Sequence, residues 1–250
     1  MIHLKNDREI EIMDRANAIV HEVLDRLGSE LAPGVSLLDL DRIAESTAAA
    51  RGAACAFKGY HGYPASACLS LNDEVVHGIP NGRTLAPGDV LSIDFGVLYE
   101  GYYGDAARTF VVGEADEKAG KLLDVTRRGL MLGVEQARPG NRVSDIGHAV
   151  QTWVESNGFS VVRDFVGHGV GRALHEEPQI PNFGEPGRGP RLQPGMVIAI
   201  EPMVNEGTWE VTIDDDGWTV RTADHARSAH FEYSIAVTKN GPRILGVSSQ

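Results

Sequence analysis

Four acidic residues stand where a buried strand would place apolar ones. Asp94 closes the run LAPGDVLSID (85–94) and Glu201 closes LQPGMVIAIE (192–201). The two phrases agree at five of ten positions and end on a carboxylate at the same place. Asp105 opens DAARTFVV (105–112), and Glu232 lies in FEYSIAVT (231–238), both strand-like runs. A two-residue turn at Glu100-Gly101 makes 90–97 and 105–112 a hairpin. Asp94 then sits opposite residue 107, with Asp105 two residues away on the same face. Diagonal neighbours on one face lie roughly 7–8 Å apart, close enough for two carboxylates to reach one object.

The ordinary fate of such acids is to face water or to pair with a base. Arg108 is an odd step from Asp105 and so points to the opposite face, and no Lys or Arg occurs between Leu192 and Val220. Carboxylates sharing a buried site raise one another's pKa and cannot all stay ionised without a cation. A divalent metal is the simplest compensation. VGHGVGRALHEEP (166–178) adds His168 and His175, with glycines that allow close backbone approach. It lacks the spacing of a dinucleotide-binding loop, and it is not the HExxH pattern of a single-zinc helix. Four carboxylates and one imidazole suit Mn(II), Fe(II), Co(II) or Zn(II). Two such ions bridged by carboxylates activate water, which is the design of a hydrolase.

Two helix pairs must carry these strands. Met13, Ala16, Val20, Val23, Leu24 and Leu27 recur at helical spacing, so a helix is expected over 7–27, capped by Asn6 with Glu9 and stopped by Gly28. A second helix follows Ser36 and Asp39 and ends near Arg51. The pattern returns as helices over 117–137 and from Asp145 to near Gly158, then strands at 196–204 and 231–238 around the excursion WEVTIDDDGWTV. Asn182–Pro190 reads as a surface loop. Pro33-Gly34 with Asp39 repeats as Pro139-Gly140 with Asp145 at an offset of 106, Gly52 to Gly158 is again 106, and the acidic phrases are 107 apart. The expectation is an α/β (α+β) chain, one catalytic domain over 1–250, built of two pseudo-twofold helix-helix-strand halves, about 8–112 and 117–245. In that arrangement the two hairpins face each other and the four carboxylates converge.

Composition sets the outer bounds. The chain has 250 residues, 42% hydrophobic and 23% charged, ordinary for a soluble domain. Its net charge of −12 argues against a nucleic-acid partner. No apolar run reaches a membrane span, and MIHLKNDREIEIM has charges where a signal peptide needs its apolar stretch. Two cysteines permit at most one disulfide, so a reducing cytoplasm is the expected location.

NDEVVHGIP (72–80), LSIDFG (91–96), GYYGDAART (101–109), FVGHGVGRALHEEP (165–178), IAIEPM (198–203) and HFEYS (230–234) resemble, in this order, the type I methionine aminopeptidases. The resemblance covers nearly the whole chain and implies the pita-bread fold around a central antiparallel sheet. It implies two divalent ions, with Asp94 on one, His168 and Glu201 on the other, and Asp105 and Glu232 bridging. It also implies that Glu201 shuttles a proton, that His77 lies near the scissile amide and that His175 faces the substrate carbonyl. Tyr60, Tyr63, Cys68 and Trp218 would line the methionine pocket, with Phe57 and Leu174 at its edge. Phe57 stands where many relatives carry a smaller residue, and Leu174 where an aromatic is common. The implied activity is removal of N-terminal methionine from nascent chains whose second residue is small, by a monomer that leaves room for a transient ribosome contact.

Three other readings compete with this one. Prolidases keep the fold but usually add an N-terminal domain, whereas here the repeat begins almost at residue 8. The type II methionine enzymes insert a large helical segment between the last two acidic ligands, yet Glu201 and Glu232 are only 31 residues apart. A metal-free binding module on this fold would have lost ligands, and all five residue types stand in place.

Overall fold

The computed structural model describes residues 1–247. The first half runs α1 (Asp7–Glu30), α2 (Leu37–Ala50), β1 (Ala54–Cys55), β2 (Cys68–Leu71), β3 (Glu74–Val76), β4 (Val90–Tyr99) and β5 (Tyr102–Val111). The second runs α3 (Glu117–Gln136), α4 (Val143–Ser156), β6 (Ser160–Val161), β7 (Gly167–Gly169), β8 (Glu176–Ile180) and β9 (Val197–Ile200). It continues with β10 (Met203–Asn205), β11 (Val211–Ile213), β12 (Val220–Thr222), β13 (Ser228–His230), β14 (Glu232–Thr238) and β15 (Gly241–Ile244). Among the described residues no helix is long and apolar enough to cross a membrane. Cys55 and Cys68 are both free thiols.

The main sheet has the order β1-β4-β5-β14-β9-β7-β8, with β2 also on β4 and β15 also on β14. Its centre is the antiparallel pair β5–β14, flanked by β4 and β9, the two strands that carry the repeated phrase. Alternation along β4 explains how the sheet serves core and site together. Leu91, Ile93, Phe95 and Val97 join the apolar cluster of α1 and α2, while Asp94 takes the opposite face. Residues of α3 and α4 form the matching cluster with Ile198, Ile200 and Ile235 of β9 and β14.

Local chemistry accounts for the elements. Asn6 caps α1, accepting from the Glu9 amide at 3.1 Å while the Glu9 carboxylate accepts from the Asn6 amide at 2.9 Å. The helix does not stop at Gly28 but continues to Glu30. A Cβ on Gly28 would lie 2.6 Å from the Phe110 ring, so this glycine lets helix and strand touch instead of ending the helix. The β4–β5 turn has the predicted register: Glu100 and Gly101 both have positive φ, and Asp94 pairs with Ala107.

Two expectations need correction. The stretch 196–204 is not one strand. It breaks at Glu201-Pro202, where proline has no N–H for the ladder, and β10 leaves to join β13 and β6 in a second sheet. Asn182, assigned to a surface loop, is fully buried, and its amide donates to the Glu201 carbonyl at 3.1 Å. The excursion at 209–220 is also more than a detour. Strands β11 and β12 form a hairpin that pairs with β3, and Arg221 fixes it through Asp73 at 2.7 Å, Glu74 at 2.8 Å and Asp214 at 2.7 Å.

Candidate metal centre and pocket

Register brings the acids together. Ala107 of β5 pairs with Asp94 of β4 on one side and with Glu232 of β14 on the other, and Asp105 lies two residues back on the same face. Glu201 follows directly from β9, at the break in the strand. His168 comes from β7, whose Gly169 pairs with Ile198 of β9. Ligand atoms of Asp105, His168 and Glu232 lie within 4.8 Å of one another, and all three residues are buried. His168 Nε2 is 3.9 Å from Asp105 Oδ2 and 3.5 Å from Glu201 Oε1.

These groups lack what would neutralise them. Asp94 Oδ1, Asp105 Oδ1 and Glu232 Oε1 are buried without a hydrogen-bond partner. Among the described residues no Lys or Arg pairs with any of the four acids. Burial pushes the Asp94 carboxyl up to about 7 and Glu201 up to about 8. Burial, reinforced by the neighbouring carboxylates, holds Asp105 and Glu232 well above the usual range. The backbone carbonyl of Gly169, 2.9 Å from His168 Nδ1, takes that nitrogen's proton in a hydrogen bond and leaves the Nε2 lone pair facing the acids. Burial, then the His175 ring, lowers the His168 pKa to about 3, so the imidazole is neutral. Oxygens without partners beside an available imidazole lone pair fit a divalent cation.

The remaining candidates surround the same cavity of about 470 Å³. His77, His175, Phe57, Tyr60, Tyr63, Cys68, Leu174 and Trp218 all line it, together with Asp94, Asp105, His168, Glu201 and Glu232. Tyr63 donates to the carbonyls of Ala67 and Gly78, at 3.1 and 2.9 Å, and meets the Trp218 ring edge-on at 5.1 Å between centroids. His77 has φ of +60°, a conformation costing about 1–3 kcal/mol for a residue other than glycine and typical of functional positions. Burial, then His230, lowers its pKa to about 4. His175 lies at the rim, its pKa lowered by burial and by His61.

Sequence reasoning missed His230. It is almost wholly buried, lines the cavity, and has neither ring nitrogen hydrogen-bonded. Its Nε2 is 3.7 Å from Glu201 Oε2, and its backbone is held by Thr109 Oγ1, which donates to its carbonyl at 2.7 Å and accepts from its amide at 2.9 Å. The signal was its place two residues before Glu232, since even spacing in extended chain favours a common face. Phe165, Met203 and Val76 also line the cavity, and no local pattern singles them out.

The model of metallopeptidase family M24 matches residues 11–239. A methionine aminopeptidase of Clostridium perfringens is 52% identical over 245 residues, 98% of this chain and 98% of that one. The crystal structure of a methionine aminopeptidase from Thermotoga maritima has a TM-score of 0.97 at 46% identity and covers 99% of this chain and 100% of its own. The curled sheet with its helix pairs is the pita-bread fold of those structures. A prolidase from Pyrococcus furiosus is more distant, with a TM-score of 0.79 and 25% identity, and only 66% of that chain is matched.

Proposed function

The chain belongs to metallopeptidase family M24, and from that membership we propose that it removes the N-terminal methionine from polypeptides, preferring a small second residue. One observation carries the reading: four acids and His168 from both halves of the chain converge in one cavity, with no Lys or Arg to neutralise them among the described residues. Asp94, Asp105, His168, Glu201 and Glu232 would hold two divalent ions, Mn(II), Fe(II), Co(II) or Zn(II). Ions bound there supply Lewis acidity, acidifying water and polarising the scissile carbonyl. Glu201 takes a proton from the attacking water and passes it toward the leaving amine. His175 donates to the oxygen on which negative charge develops. His77 lies near the scissile amide. Tyr60, Tyr63, Cys68 and Trp218, with Phe57 and Leu174 at the edge, take the thioether side chain, which sulfur–aromatic contact favours by about 0.3–1.5 kcal/mol per contact.

Both halves (8–112 and 117–245) supply ligand candidates, so the chain works as one catalytic unit. We place it in the cytoplasm as a monomer acting on emerging chains, with a transient ribosome contact at most. The test is mass spectrometry of Met-Xaa and Xaa-Pro peptides with each of the four metals. Release of methionine from Met-Ala and Met-Gly peptides, and none from Xaa-Pro, is expected. Cleavage confined to Xaa-Pro peptides would make the enzyme a prolidase and overturn the proposal.

A further inference from the structure

Two imidazoles stand side by side at the site, His168 and His175, with ring centroids 4.3 Å apart and planes at 70°. Their Nδ1 atoms have opposite kinds of partner. His168 Nδ1 faces a carbonyl, which only accepts. His175 Nδ1 lies 2.6 Å from the Tyr60 hydroxyl, which can donate. Burial raises the Tyr60 pKa, so the phenol keeps its proton at neutral pH. Among the described residues Tyr60 Oη has no other hydrogen-bond partner, so its proton is free to be donated to that ring nitrogen. A neutral imidazole accepting at Nδ1 carries its own proton on Nε2.

We propose that Tyr60 is a positioning residue that locks His175 in the Nε2–H tautomer, the reverse of the tautomer that Gly169 imposes on His168. One ring then offers a lone pair to the acid cluster and its neighbour offers a proton to the cavity. The assignment deepens the reading of His175 as the donor to the substrate oxygen and rests on it, since an Nδ1–H tautomer would aim a lone pair at developing negative charge. Tyr60 has therefore two roles in one side chain: its ring walls the pocket and its hydroxyl sets the tautomer. Its ring also packs edge-on against His61, with centroids 4.4 Å apart, so the phenol is held from both sides.

Tyr60→Phe separates the two roles, because it keeps the ring and deletes only the hydroxyl. Long-range ¹H–¹⁵N correlation spectra of the Zn(II)-loaded, histidine-labelled protein, with His175→Gln to assign the signal, read the tautomer directly. The expected result is a proton on Nε2 in the wild type and a mixed population in Tyr60→Phe. A proton on Nδ1 in the wild type, or an unchanged spectrum in Tyr60→Phe, overturns the proposal. Kinetics on a Met-Ala-Ser peptide give the second readout. Loss of one hydrogen bond predicts a fall in kcat of about tenfold, with KM changed by less than about twofold. A rise in KM with kcat intact would reduce Tyr60 to a pocket wall and overturn it. A wild-type protein inert toward methionyl peptides would refute the proposed function instead, and the spectra would still decide the tautomer.

Discussion

Glu201 stands between two imidazoles, Oε1 toward His168 and Oε2 toward His230, at the point where Pro202 ends the strand. A carboxylate so placed is outside the regular ladder and held by packing on both sides, which suits the proton transfer proposed for it. Asp105 is different: buried inside β5, with Oδ1 unpartnered and its backbone amide donating to Asn17 Oδ1 at 3.2 Å. Asp105→Asn keeps the shape and removes the charge. We expect at least about a 10²–10³-fold loss of turnover on a Met-Ala-Ser peptide. The metal-free variant should melt no lower than the wild type, because a neutral amide replaces a buried carboxyl whose ionised form is already disfavoured there. Turnover near the wild-type level would show that Asp105 is no ligand.

At the scale of elements, the site depends on backbones that touch. A Cβ on Gly104 would meet Ala16 C at 2.7 Å, so α1 lies directly against β5 beside Asp105. A Cβ on Gly169 would lie 2.3 Å from the Glu177 carbonyl oxygen, between the strand that carries His168 and the one that follows His175. Backbone cannot yield as a flexible side chain can. Gly169→Ala should therefore separate β7 from β8, cost about 1–3 kcal/mol of stability, and weaken metal binding measured by calorimetry. Gly120→Ala is the control: nothing lies within 4 Å of its Cβ, and in α3 the change should stabilise by about 0.4–1 kcal/mol. Gly169→Ala with wild-type melting and metal affinity would contradict this account of β7.

For the whole molecule, the acid cluster ties stability to pH and to cation. Asp94 and Glu201 have folded pKa values of about 7 and about 8, raised by burial from ordinary carboxylate values. At these two carboxyls the folded state binds more protons than the unfolded chain between the ordinary carboxylate range and about pH 8. His77 and His168, lowered to about 4 and about 3, instead bind fewer protons folded than unfolded up to about pH 6.5. The contribution of these carboxyls to stability is fully present below the unfolded pKa and lost as pH rises through the folded values, and above about pH 6.5 the histidines no longer oppose it. The melting temperature of chelator-treated protein should drop from about pH 7 to about pH 8. Saturating Mn(II) or Co(II) should raise the melting temperature most at the upper end, by mass action on the folded state. A metal-free protein whose melting temperature is flat or rises over that interval would refute the buried-acid cluster.

Much of the site was legible because local patterns carry it. Alternation put Asp94 and Asp105 on one face, Glu100-Gly101 set their register, and the repeated phrase paired Glu201 with Asp94. Apolar spacing and capping residues placed the four helices to within a few residues, Gly28 excepted. His230, the buried Asn182 and the Arg221 clamp escaped, since each owes its place to groups distant in the chain. By itself, then, the sequence determined the chemistry on offer, the strand face of each hairpin acid and the twofold repetition, because these follow from near-neighbour geometry. Only the tertiary structure decided that β5 pairs with β14, that Pro202 turns Glu201 out of its strand, and that Tyr60 meets His175. The β5–β14 pairing joins Ala107 to Glu232 and the hydroxyl contact joins Tyr60 to His175, segments more than a hundred residues apart, and packing rather than local preference selects them.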